Sequence, residues 1–177
     1  MTKIAQVGEP ILRQIAQPVK DIYQPEIQAL IDTLMTTADK ANGVGIAAPQ
    51  IGKSCRIFIV ASRPNPRYPH APWMQPTAMI NHKIISHSEE IVKDWEGCLS
   101  VCGKRGLVPR YQAITVEYLT RDGKLETREF TDFVARIIQH ESDHLDGILF
   151  IDRLKNSQDI YSEEEYQKII SQENSGE

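Results

Sequence analysis

The stretch Gln139-His140-Glu141-Ser142-Asp143-His144-Leu145-Asp146-Gly147 decides how the rest of the chain is read. Two histidines four residues apart stack on one face of a helix, so both imidazoles can reach one metal ion. Glu141 leaves the helix beside them and can serve as general base toward a water at that metal. Upstream, Phe133 and Ile137 fall on the same face. Thr131 or Asp132 can cap this helix, and Asp146-Gly147 ends it.

Two histidines leave a site short of a third protein ligand. In one large class of metalloproteases a glycine follows the second histidine by three residues, and a third histidine comes three later. Gly147 is present here, but the later position is Phe150 and no histidine follows His144. Glu163, Glu164 and Glu165 could substitute. Ser162, however, makes them the first turn of a surface helix, where the dipole alone accounts for carboxylates. His70, His82 and His87 read as surface or half-buried residues. Among Cys55, Cys98 and Cys102, the residues themselves favour Cys98 only modestly over Cys102. Its neighbour Gly97 lets the backbone come close to something.

Outward from this helix, residues 25–42 carry an apolar stripe at helical spacing, with Pro25 at the first position and Gly43 suited to a left-handed stop. Residues 43–52 read as a loop, and five prolines make 62–76 an extended surface loop. Strands are expected over 56–61, 78–86, 89–95 and 113–119, and a hairpin turn at Asp122-Gly123 leads to a partner strand near 125–130. Ser162 and Glu165 form a capping box for a last helix, with Tyr161 stapled onto Tyr166. Strands first, then helices, without regular alternation, predict an α+β fold.

Composition narrows the class. The 177 residues are 41% hydrophobic and 25% charged, as in ordinary globular domains, with a net charge of −4. A sequence pI near 5.8 is not the basic footprint of a nucleic-acid binder. No apolar run is long enough to span a membrane, and residues 1–10 lack the apolar core of a secretory signal. Three unpaired cysteines argue for a reducing compartment, in keeping with a cytoplasmic protein.

Three segments together resemble one family, the peptide deformylases: Gly43-Val44-Gly45-Ile46-Ala47-Ala48-Pro49-Gln50, Glu96-Gly97-Cys98-Leu99-Ser100, and Gln139 to Gly147. Their order matches, and the resemblance spans residues 5–155. It implies small antiparallel sheets packed around a central helix carrying the histidine motif. It implies a metal-dependent hydrolase that removes the formyl group from the N-terminal formyl-methionine of nascent chains. The implied metal ligands are Cys98, His140 and His144, with water in the fourth position. Glu141 would be the base, and Gln50 and the backbone N–H of Leu99 the oxyanion donors. The ion would be Fe2+, with Zn2+, Ni2+ or Co2+ accepted. Partners would be N-formylmethionyl peptides, with transient ribosome contact.

Further expectations attach to the pocket. Gly43 and Gly45, with Gly97, leave room for a peptide backbone. Val44, Phe133 and Ile137 are candidates for the methionine pocket, and Trp95 a weaker one because a strand alternates faces. Arg105 is expected to orient, pinning a carboxylate or a backbone carbonyl. Residues 1–155 are expected to form one catalytic domain and 156–177 an acidic tail of net charge −5 with a short helix. That charge is unlike the basic C-terminal helix with which some family members dock on the ribosome. Cys102 stands where the family often has proline. It could bond to an oxidised Cys98 if the two Cα atoms come within about 7 Å, or complete a closed structural metal site. The competing enzymatic reading is a zinc metalloprotease on the same helix motif.

Overall fold

A computed structural model describes residues 2–174; residues 175–177, the end of the acidic tail, lie outside the described residues. In chain order the elements are α1 (Pro25–Lys40), β1 (Gly45–Ala47), β2 (Ile57–Val60), β3 (Thr77–His87), β4 (Ile91–Cys98), β5 (Val101–Tyr111), β6 (Ala113–Leu119), β7 (Leu125–Thr131), α2 (Asp132–Leu145), β8 (Ile160–Ser162) and α3 (Glu163–Asn174). A five-stranded antiparallel sheet runs β1-β2-β3-β6-β7, and a three-stranded one runs β4-β5-β8. The fold is α+β, as the order of elements predicts.

Helix α2 lies between the two sheets. It packs on β1, β2, β6 and β7 on one side and on β5 on the other. Its apolar residues Ala135, Ile137, Ile138 and Leu145 join Phe58, Met79, Val116 and Tyr118 in the main core. Helix α1 seals the far side of the large sheet with Ile31, Leu34 and Ala38 against Ile46, Ile57 and Ile59. Phe150, Leu149 and Val108 form a smaller core under the three-stranded sheet.

Two local readings change in the structure, and one strand is added. The left-handed stop after α1 falls on Asn42 (φ 52°) rather than on Gly43, since asparagine tolerates that region. The 43–52 segment contains β1, whose three residues are buried and pair with β2, so their backbone groups are satisfied in a ladder. Strand β5 is masked in the sequence by Gly103, Gly106 and Pro109. Pro109 is tolerated because β8 pairs only with residues 104–106 and leaves that part of β5 open on one side. The turn at Gly123 (φ 82°) and the β6–β7 hairpin agree with expectation.

Gly147 (φ 72°) ends α2 where a Cβ would stand 2.7 Å from the carbonyl oxygen of Arg13. Gly103 has the same φ, but open space around it. Gly147→Ala is expected to cost about 2–4 kcal/mol of stability and Gly103→Ala only about 1. Urea denaturation of the two variants checks this; equal losses would show that the contact with Arg13 is not limiting.

Candidate functional site

Strand β4 brings Cys98 to the face of α2 that carries His140 and His144. Their ligand atoms all lie within 4.8 Å of one another, and all three residues are buried. Cys98 Sγ stands 3.3 Å from His144 Nε2. Among the described residues this is the group of histidines, cysteines and acids placed to hold a metal ion. Cys102 is exposed, with its thiol directed at the Leu99 carbonyl. The hairpin pairs Cys98 with Val101, so Cys102 falls on the opposite face of the strand. It neither joins the ligand group nor faces the Cys98 thiol. Glu163, Glu164 and Glu165 belong to α3, outside that group. His82 is a correction to expectation: it is buried, edge-on to Phe58 and bonded to Ser142. His70 and His87 are exposed.

The donor set suits a divalent cation of borderline softness. His140 Nδ1 donates to Glu96 Oε2 at 2.9 Å, which leaves the Nε2 lone pair free for a metal ion. Burial alone would raise the Cys98 thiol, but the imidazoles of His144 and His140 outweigh it and hold the thiol well below its usual range. Ser100 N–H and the Gln50 amide also direct hydrogen bonds at the sulfur, at 3.4 and 3.7 Å. A thiolate is the form that ligates.

Glu141 sits beside this triangle with Oε2 unpartnered. Burial pushes its carboxyl up to about 7, against the opposing pull of His140 and His144. Gly45 exists for this carboxyl: a Cβ there would stand 2.5 Å from Glu141 Oε1 and 2.9 Å from Ile137. The glycine thus admits the acid. Gln50 is held by Ala47 N–H, which donates to its Oε1 at 2.8 Å, so its amide nitrogen faces Ser100 Oγ and Cys98.

A cavity opens from the triangle. Gly43, Val44, Gly45, Phe133, Ile137 and Gly97 line it, together with Gln50, Leu99, Cys98, His140 and Glu141. Its inner residues are buried, whereas Arg67, Tyr68, Trp95 and Phe133 at its lining are half-buried. Arg105 is behind Gly97 rather than in the cavity wall, and pairs with Glu163.

Sequence reasoning passed over the ion ladder that fixes the triangle. Glu96 accepts from Arg110 at 2.8 and 3.0 Å, from Arg136 at 3.0 Å and from His140. Arg110 reaches on to Asp143 at 2.7 Å, and Asp143 to Arg153 at 2.7 Å. Burial opposes ionisation of Glu96, yet Arg110 and His140 hold its carboxyl well below the usual range. The available signal was periodicity. Glu96 is two residues from Cys98 and shares its strand face, and Arg136 is one helical turn before His140.

A buried thiolate–imidazole triangle that opens on an apolar cavity, with a poised acid beside it, belongs to the hydrolytic metalloenzymes. Comparison narrows the class. The family model described as polypeptide deformylase matches residues 1–159. Peptide deformylase 2 of a Nostoc species is 63% identical over 168 residues, covering 95% of this chain and 94% of the relative. Peptide deformylase 2 of Shewanella oneidensis is 43% identical over 96% of this chain and 89% of its own length. A crystal structure of a class I type b peptide deformylase from Acinetobacter baumannii superposes with a TM-score of 0.85 at 46% identity, covering 88% of this chain and 99% of that one. This chain belongs to the polypeptide deformylase family. It is accordingly a metal-dependent hydrolase that removes the formyl group from N-formylmethionyl peptides, in the service of protein biosynthesis. The metalloprotease reading is not favoured. No helix among the described residues is long and apolar enough to cross a membrane.

Glu96→Gln is expected to leave Arg110 and Arg136 undercompensated and His140 loosely oriented. Metal affinity is expected to fall by about 10–100-fold, with about 3–5 kcal/mol lost in stability. Competition with a chelator and denaturant unfolding measure the two; wild-type values for both would remove Glu96 from the account.

Proposed function

We propose that Cys98, His140 and His144 hold one divalent ion, Fe2+ in the cell, with Zn2+, Ni2+ or Co2+ able to replace it. The observation that carries this reading is the buried triangle within 4.8 Å, with the thiol stabilised as thiolate. When bound, the ion supplies Lewis acidity toward the formyl oxygen and lowers the pKa of a water toward neutrality.

The chain's own residues do the rest. Glu141, poised near neutrality, takes a proton from the attacking water and hands it to the departing amine as the C–N bond breaks. The Gln50 amide and the Leu99 N–H donate to the oxygen that gains charge on the formyl carbon, in a cavity that limits competition from water. Val44, Phe133 and Ile137 seat the methionine side chain, and Gly43, Gly45 and Gly97 keep the wall close to the peptide backbone. Arg105 orients from behind Gly97. Residues 1–155 supply these groups as one catalytic domain, with 156–177 as an acidic tail. The substrates are nascent chains, so the site of action is the cytoplasm, with transient ribosome contact through a surface other than the acidic α3 and no direct nucleic-acid binding.

The test combines metal analysis of anaerobically purified protein with formate release from formyl-Met-Ala-Ser. Cys98→Ser is expected to lose or weaken the ion, because a soft thiolate becomes a protonated hydroxyl; unchanged stoichiometry and affinity would sink the ligand assignment. Glu141→Ala is expected to keep the ion and lose about 10²–10⁴-fold in turnover. Loss of the ion in that variant would make Glu141 a ligand instead. Ile137→Phe is expected to penalise formyl-methionyl peptides more than formyl-alanyl ones, whereas equal losses would mark core damage.

A further inference from the structure

The small sheet has two faces with different work. Along β4, Glu96 and Cys98 face α2, and Trp95 and Gly97 face the other way. On that second face Gly97 stands opposite Arg105 of β5, and Arg105 opposite Tyr161 of β8. Because Gly97 has no side chain, the guanidinium lies over it; a Cβ there would be 3.0 Å from both Cδ and Nη1 of Arg105.

Arg105 is only 1% exposed. Its Nε donates to Glu163 Oε2 at 2.8 Å and Nη2 to Oε1 at 3.4 Å. The same guanidinium is stacked between two rings, 5.0 Å from Tyr68 and 4.7 Å from Tyr166. Trp95 meets Tyr161 and Tyr166 edge-on, at 5.0 Å each. Tyr68 packs on Phe133 at 5.5 Å and its hydroxyl donates to the Gly97 carbonyl at 3.5 Å. Thus three residues of the cavity lining, Tyr68, Trp95 and Gly97, rest on side chains from β5, β8 and α3.

We propose that Glu163 of α3 is a positioning residue for the mouth of the pocket, acting through Arg105. The inference rests on the reading of the site above. A guanidinium this buried needs a countercharge, and Glu163 is its hydrogen-bonded carboxylate. Without that carboxylate Arg105 is an unpaired buried cation and is driven toward water. Tyr68 and Gly97 then lose the plane they lean on, and Trp95 loses its packing as α3 loosens. The metal triangle and Glu141 do not depend on this contact, because Glu96, Arg110 and Arg136 hold the triangle from the opposite face of β4. The second face of β4 therefore supports the mouth of the pocket without holding the metal triangle.

The test is kinetic, on the metal-loaded full chain with formyl-Met-Ala-Ser. Glu163→Ala is expected to raise KM by about tenfold, equivalent to about 1.4 kcal/mol, with kcat within about twofold of wild type and metal stoichiometry unchanged. Glu163→Asp is expected to recover part of the loss. In a Trp73→Phe background, Glu163→Ala is expected to shift Trp95 fluorescence to the red. Glu164→Gln, on the exposed side of α3, serves as the control. If Glu163→Ala does not fold, Glu163→Gln keeps the shape without the charge and carries the same expectation. An unchanged KM in a folded variant would overturn the proposal, as would kcat and metal content falling together with the rise in KM. A wild-type enzyme that released no formate would strike the reading of the site; an active one whose KM ignores Glu163 strikes only this inference.

Discussion

The buried carboxylate of Glu96 is the constraint on which the rest depends. It sits on β4, takes two hydrogen bonds from Arg110 of β5, and takes one each from Arg136 and His140 of α2. A buried charge without such partners would be costly, so the three elements that meet at Glu96 are obliged to meet in one geometry. That geometry brings Cys98 to the histidines. Arg136 adds bonds to the carbonyls of Val108 and Val92 at 2.7 Å each, which ties the helix to both strands of the hairpin. The ladder continues through Asp143 to Arg153, so the last turn of α2 is held to the segment that follows it.

Strand alternation then divides the labour. One face of β4 carries Cys98 and the carboxylate that bonds His140; the other carries Trp95 and Gly97, which the tail supports. Glycine plays opposite parts on the two sides of the cavity. At 45 it makes room for an acid from α2, and at 97 for a guanidinium from β5. In both places an ionisable side chain occupies the space that a Cβ would have taken, supplied at 45 by a helix far along the chain and at 97 by the next strand of the same hairpin.

The tail is legible in part. Its capping box forms as read, with Ser162 and Glu165 bonded reciprocally at 2.6 and 3.1 Å. Tyr161 and Tyr166 are drawn together by a third ring, Trp95, which no local pattern names. Cys102 illustrates the converse. Sequence proximity to Cys98 suggests a partner thiol, but a strand turns neighbouring side chains to opposite faces, and Cys102 ends at the surface.

The sequence by itself determined the helix that carries His140 and His144, the acid between them, the turn at Gly123, the α+β class and, through three ordered motifs, the family. Each of these is local: helical spacing, turn chemistry or a contiguous stretch of residues. Only the tertiary structure set Cys98 against the histidines and Cys102 at the surface, buried His82, made the paired strand β1 out of a glycine-rich segment, and joined Glu96, Arg110, Arg136, Asp143 and Arg153 into one ladder. It also carried Arg105 to Glu163. The physical reason is that burial and charge pairing are made across strands and between layers. Residues dozens of positions apart share a desolvated space whose cost no local pattern of the chain records.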